Sequence, residues 1–147
     1  MTFKLAAGRI KNTFIGRINL PADKMWTPRG DLDVQYEQIR RETAFLSEQN
    51  NHPGKIFVCG HPLYYYLTKR SPALASNGWM PELFLPEQWK QLKQELVTKA
   101  PAYVLVDSDC RSIMAEKSPE ILQFLENNYR LRSEIKDAVW YELVSKP

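Results

Sequence analysis

The residues able to do chemistry gather at two places in this 147-residue sequence. One is Cys59-Gly60-His61, where the apolar run 56–59 stops. The other is Asp107-Ser108-Asp109-Cys110, where the apolar run 103–106 stops. Ligands of open α/β sheets bind outside the carboxyl ends of parallel strands. His61, Asp107 and Asp109 therefore form a candidate strand-edge pocket. Carboxylates there could hold a metal or pass protons, and a histidine could act as a base. Cys59 or Cys110 beside them would complete a nucleophilic set. Each residue also has a plainer use. Asp107 could cap a loop, Asp109 could sit in solvent, and His61 could bond a nearby backbone group. The cysteines read first as buried free thiols.

Two cysteines and two scattered histidines, His52 and His61, do not make the four-ligand set of a zinc site. There is no GxGxxG and no GxxxxGK[ST], so a phosphate-loop nucleotide site is not indicated. No metal and no cofactor is expected.

A third group is Tyr64-Tyr65-Tyr66, followed by Lys69-Arg70. Successive helical residues point about 100° apart, so three consecutive tyrosines cannot all face one core. Arginine can grip phosphate or carboxylate with two parallel bonds. Tyr64, Tyr65, Lys69 and Arg70 are thus candidate contacts for an acceptor or a lipid phosphate. At a helix C-terminus the two cations would also simply complement the dipole.

The elements that must place these groups are legible from pattern. From Asp31 a helix is expected, fading near Gln49-Asn50-Asn51, with Tyr36, Ile39, Thr43 and Leu46 at helical spacing. His52-Pro53-Gly54-Lys55 is a turn. Ile56–Cys59 is a continuous apolar run, as in a strand covered on both faces. Pro62 fits the first turn of a helix over Leu63–Lys69, and Pro72 stops it. Trp79–Leu85 is an apolar-rich loop. Pro86–Lys99 is the clearest helix, with Leu85, Trp89, Leu92 and Leu96 as its buried stripe. Tyr103–Asp107 is the second buried strand, and residues 110–117 read as a loop or a short helical turn. Ser118-Pro119-Glu120 opens a helix that closes at Asn127-Asn128. Tyr129–Ile135 and Val139–Val144 flank the turn Lys136-Asp137 and form an antiparallel hairpin. The expected fold is a small layered α/β domain, Rossmann-like in outline. Its mixed sheet has two parallel buried strands plus the C-terminal antiparallel hairpin, with helices flanking it.

Charge divides the chain unevenly. Residues 1–30 hold six basic residues against Asp23, while residues 31–147 are net −2. The expected organisation is a basic N-terminal arm or juxtamembrane extension over 1–30, and one domain over 31–147. A folded part that is not basic argues against a nucleic-acid partner. No apolar run approaches the roughly 20 residues that cross a bilayer, and no signal-peptide pattern is visible. The chain reads as soluble. It is either cytoplasmic or was once continuous with a membrane part.

In order and spacing, three stretches resemble a known family. They are Gln38-Ile39 through Pro53-Gly54-Lys55-Ile56-Phe57-Val58-Cys59-Gly60, then Tyr64 through Ala73, and then Lys99 through Asp107 with Asn128-Tyr129 and the closing hairpin. The second is similar to a Tyr-x-x-(Ser/Thr)-x-Arg-x-Pro-Ala pattern. Together they resemble the soluble C-terminal domain of bacterial membrane glycosyltransferases of the dolichyl-phosphate-mannose-protein mannosyltransferase type, the family 39 and aminoarabinose-transferase-like group. The chain departs from that pattern at Cys59 and His61, where the family more often has Trp and other residues.

The resemblance implies a domain outside the cytoplasmic membrane, with a supporting or acceptor-side role. It also implies the membrane part of the enzyme or the membrane surface as partner, and a lipid-linked sugar or acceptor nearby. In that family the catalytic carboxylate lies in an early extracytoplasmic loop beside the first membrane helices, so no catalytic residue carries over. The chain would then be a piece of a larger enzyme, a split gene or a remnant, and inactive alone. Alternatives are a stand-alone soluble binding module, and a small hydrolase using His61, Cys59 or Asp107. If the domain is extracytoplasmic, Cys59 and Cys110 could pair, since both follow neighbouring strands.

Overall fold

The structure, a computed structural model, describes residues 29–47, 53–135 and 138–144. The chain divides into two compact units, Met1–Gln38 and Ile39–Pro147. Of the first, only the opening turns of helix α1 (Arg29–Thr43) are described. The basic arm expected over 1–30 therefore falls almost wholly outside the described residues, as do His52 and the turn Lys136-Asp137. The sheet belongs to the second unit.

Four strands make that sheet: β1 (Ile56–Cys59), β2 (Tyr103–Asp107), β3 (Tyr129–Ile135) and β4 (Ala138–Leu143). Their order is β1-β2-β4-β3, with β1 and β2 parallel and the other pairs antiparallel. This is the mixed α/β sheet that the apolar runs and the terminal hairpin predict. The runs are unbroken because both faces of β1 and β2 are covered. On one face Phe57, Val104, Val106 and Tyr141 pack beneath Trp89, Leu92 and Leu96 of α3 (Pro86–Lys99). Met114 of α4 (Ser108–Lys117) and Ile121 and Leu125 of α5 (Pro119–Asn128) cover the same face. On the other face Ile56, Val58, Tyr103, Leu105 and Trp140 pack against Ile39, Leu46 and Tyr64. Those three come from α1, the 3-10 turn Ala44–Ser47 and α2 (Leu63–Thr68).

The outer edge of β1 is closed by chain that precedes α3. Ile56 N–H donates to the Ser71 carbonyl at 3.1 Å, Ala73 N–H to Ile56 at 2.8 Å, and Gly60 N–H to Gly78 at 3.0 Å. Gly78 lies so close to β1 that a Cβ there would sit 2.1 Å from the Val58 carbonyl oxygen. The closing segment is tied to α3 by Glu95, whose Oε2 accepts from Ala75 N–H at 2.9 Å and Ser76 N–H at 3.0 Å.

Three expectations are corrected. Residues 108–117 are a ten-residue helix, and not a loop or short turn over 110–117. Asp107 caps it, its Oδ1 accepting from Cys110 N–H at 2.8 Å. Only Cys110 and Met114 of α4 are buried, so the apolar stripe is too thin to show as periodicity. Leu85 is not part of the buried stripe of α3. It stands at the N-cap in extended backbone, 64% exposed, because the residue before a proline is pushed out of the helical region. Helix α2 stops at Thr68, where Lys69 turns left-handed at φ 53°, so the break precedes Pro72.

Glu95 gives the closing segment a pH dependence. The Ser76 N–H does most to hold its carboxyl below the ordinary 4.5, against an opposing push from burial. A carboxyl with a lowered folded pKa contributes stability above its unfolded pKa, and loses it as pH falls through the folded value. The gap in urea midpoint between wild type and Glu95→Gln should therefore narrow as pH drops from about 6 to about 3. A gap that stays constant over this range would remove Glu95 as the titrating group.

Candidate functional site

The two chemistry-bearing stretches do meet at the carboxyl edge of the sheet. Gly60 ends β1 with φ 146°, and Asp107 ends β2. A Cβ on Gly60 would lie 2.3 Å from Asp107 Oδ2, so only glycine admits this approach. His61 and Asp107 are engaged in building the edge. His61 is exposed, and its Nδ1 accepts from Leu63 N–H at 3.1 Å, closing the turn into α2. Asp107 caps α4 and Asp109 is exposed in its first turn. Among the described residues no group of three or more His, Cys, Asp or Glu is placed to hold a metal ion.

The cysteines are not free thiols. Cys59 and Cys110 form a disulfide with Cα atoms 5.9 Å apart, across 51 residues of sequence. Both are buried. Cys59 stands opposite Val106 in the parallel pair. Helix α4 begins immediately after β2, and its first turn returns Cys110 over the end of β1. Without α4 the position of Cys110 could not be fixed from sequence. A Cys–His–Asp nucleophilic set is thereby overturned, since a disulfide sulfur carries no thiolate.

The tyrosine group separates into three different environments. Tyr64 is buried, donates its hydroxyl to Glu42 Oε2 and packs edge-on to Trp140, ring centroids 6.1 Å apart. Tyr65 is half-buried, and its hydroxyl oxygen accepts from Val58 N–H at 2.9 Å. It thereby satisfies the β1 edge group that the closing chain does not reach, and burial raises its pKa against the opposing effect of that bond. Tyr66 is the outward one, 73% exposed. Lys69 is exposed at the helix end. Arg70 donates from Nη1 to the Gly54 carbonyl at 3.2 Å and places its guanidinium 5.0 Å from the Tyr103 ring centroid, a cation–π contact. Tyr64, Tyr65 and Arg70 thus serve the fold with the groups that a ligand would have used.

Two buried carboxylates lie on this same face. Glu42 is fully buried beside Tyr64. Glu142 is 2% exposed, accepts from the Tyr103 hydroxyl at 3.1 Å and pairs with Arg130 Nη2 at 2.7 Å. Glu42 lies three residues after Ile39 and four before Leu46. An acid in the apolar stripe is the one sequence signal for it.

Two further features lie at the surface. A cavity of about 420 Å³ opens at the opposite, amino ends of β1 and β2. Lys55, Lys99, Ala102 and Leu143 are among its walls, and none of the sequence-predicted site residues lines it. The other is the segment before α3, where Trp79, Met80, Leu83 and Leu85 are all exposed. Comparison of the chain with protein-family models, curated proteins and solved structures finds no match in any of the three.

Closing a 51-residue loop restricts the unfolded chain by about 4 kcal/mol. The Cys59→Ala/Cys110→Ala protein should lose stability of about that size in urea unfolding. A loss below about 1 kcal/mol would mean that the bond constrains little. Tyr65→Phe strands the Val58 N–H and should cost about 1–3 kcal/mol, whereas Tyr66→Phe should stay within about 0.5 kcal/mol. Equal effects from the two would remove the edge role of Tyr65.

Proposed function

We propose that this chain is a non-catalytic domain acting on the extracytoplasmic side of a polyprenyl-phosphate-sugar-dependent membrane glycosyltransferase, in a supporting or acceptor-side role. The observation that carries this is the buried Cys59–Cys110 disulfide. Such bonds persist in oxidising compartments and are rare in the cytosol, and the family resemblance implies a domain outside the cytoplasm. The stretch Tyr64–Ala73, one of the three that carry the resemblance, supports the same reading in a structural way. Its tyrosines and arginine hold α2 and the edge of β1. Side chains engaged in the fold fit a domain whose chemistry is done elsewhere. The exposed Trp79, Met80, Leu83 and Leu85 fit a domain that lies against a partner or a lipid surface.

No helix among the described residues is long and apolar enough to cross a membrane, so on this proposal a separate membrane part performs the transfer. The stand-alone binding module is the second reading, and the cavity between Lys55 and Lys99 favours it.

Purified chain, incubated with polyprenyl-phosphate sugars and acceptor, should give no sugar transfer, and turnover would overturn the non-catalytic assignment. Thiol labelling of unreduced protein should find both cysteines blocked in exported protein. Reactive thiols there would remove the observation on which the extracytoplasmic reading rests. A genomic reading frame with many membrane spans, continuous with Met1, is expected on this proposal. A self-contained frame would favour the binding module.

A further inference from the structure

We propose that the cavity at the amino ends of β1 and β2 binds a small phosphomonoester. Its phosphate would sit between the ammonium groups of Lys55 and Lys99, with a short apolar body against Ala73, Ala102 and Leu143. At about 420 Å³ the space falls in the range of small-molecule sites. Its charged wall residues are Lys55 and Lys99, and no carboxylate among the described residues lines it. A concave site with charges of one sign gathers ligands of the other. Among the described residues neither lysine is in an ion pair.

Several wall N–H groups are already bonded, and the two lysines are the charged groups left to recognise an anion. Ala102 N–H donates to Lys55 at 2.9 Å, Leu143 N–H to Ala102 at 3.0 Å, Ala73 N–H to Ile56 at 2.8 Å and Ala100 N–H to Leu96 at 3.1 Å. The Gly54 carbonyl accepts from Arg70. The rest of the lining is small apolar surface and the two exposed lysines. Two ammonium groups balance the two charges of a phosphomonoester dianion, where a carboxylate would leave one unmatched, and lysine binds phosphate as a point charge.

Ala100 is the C-cap of α3, in left-handed backbone at φ 41° with its N–H donating to the Leu96 carbonyl, an ordinary way for a helix to end. Here it turns the chain from Lys99 into Pro101 and shapes one wall. Lys99 also stands in the last turn of α3, where a cation complements the helix dipole. That use alone requires no ligand, and the experiment separates the two.

The ¹⁵N-labelled full chain is titrated with hexyl phosphate, inorganic phosphate and hexanol, and amide shifts are followed. Hexyl phosphate should give saturable shifts at Gly54, Lys55, Ala102 and Leu143. Inorganic phosphate should give the same set more weakly, and hexanol none. Lys55→Gln/Lys99→Gln should weaken hexyl phosphate binding by at least about tenfold, with its spectrum otherwise retained. Lys55→Arg/Lys99→Arg should keep most of the affinity. Absence of saturable shifts at millimolar ligand, shifts centred elsewhere, or equal binding by the glutamine variant would each overturn the proposal. Should the glutamine pair fail to fold, the wild-type shift map and the arginine pair decide it. The inference stands apart from the glycosyltransferase reading, whose tests use sugar transfer and thiol state.

Discussion

Strand β1 is four residues long, buried on both faces and paired with β2 along one edge only. Its other edge must find partners for backbone groups that no water reaches, and a buried unpaired group costs about 1–3 kcal/mol. Much of the chain between β1 and α3 is organised to meet that demand. Helix α2 is short because it need only bring Tyr65 back to Val58 N–H. The chain then runs beside β1 and touches it at Ser71, Ala73 and Gly78. Gly78 is required because β1 and this segment are in backbone contact there. Glu95 fixes the segment to α3, and the disulfide locks the end of β1 to the start of α4. An edge closed in this way also offers no ladder to another chain.

Polar burial on the second face follows a different logic. Glu42, Tyr64, Tyr103 and Glu142 are all buried there, beside Trp140. Each carboxylate accepts from a tyrosine hydroxyl, and Glu142 also holds Arg130. Such groups add less to net stability than apolar residues of equal volume, yet breaking one leaves a buried charge without its partner. Their effect is to fix how α1 and α2 seat on the sheet. Aromatic residues on both faces carry buried polar atoms with less support. Among the described residues Tyr129 Oη and Trp89 Nε1 on the first face, and Trp140 Nε1 on the second, have no hydrogen-bond partner. Burial alone pushes the Tyr129 pKa up to about 12.

The sheet is legible from sequence because its signals are local. Ile56–Cys59 and Tyr103–Val106 are unbroken apolar runs, and the hairpin strands flank a short turn, so composition and spacing suffice. Helix α4 is not legible, since its stability comes from the Asp107 cap and two buried residues one turn apart. The disulfide is uncertain in sequence for the same reason: Cys110 cannot be placed until α4 is. The candidate site is less legible still. Tyrosine and arginine look like ligand-binding groups in a sequence, and nothing in residues 64–70 says that Val58 N–H, Glu42 and the Gly54 carbonyl are waiting for them. Those partners are distant in sequence, and a backbone group is invisible to any pattern of side chains. The cavity is invisible too, because its wall is made of alanines, prolines, Gly54, Leu143 and two ordinary surface lysines brought together from distant parts of the chain.

The two ends of the sheet therefore exchange the usual roles. In open α/β sheets the carboxyl ends of parallel strands are left as a crevice, with helix N-termini facing it. Here Gly60 lets Asp107 close against the end of β1, Asp107 spends one oxygen on capping α4, and the disulfide joins the two sides of the gap. An edge stapled across in this way has little freedom to admit a ligand. The amino ends are built from turns whose backbone groups bond each other, so they keep their shape without filling the space between. Rigid walls around open volume are what pre-organised binding requires. The open volume lies instead at the amino end, with Lys55 and Lys99 among its lining residues.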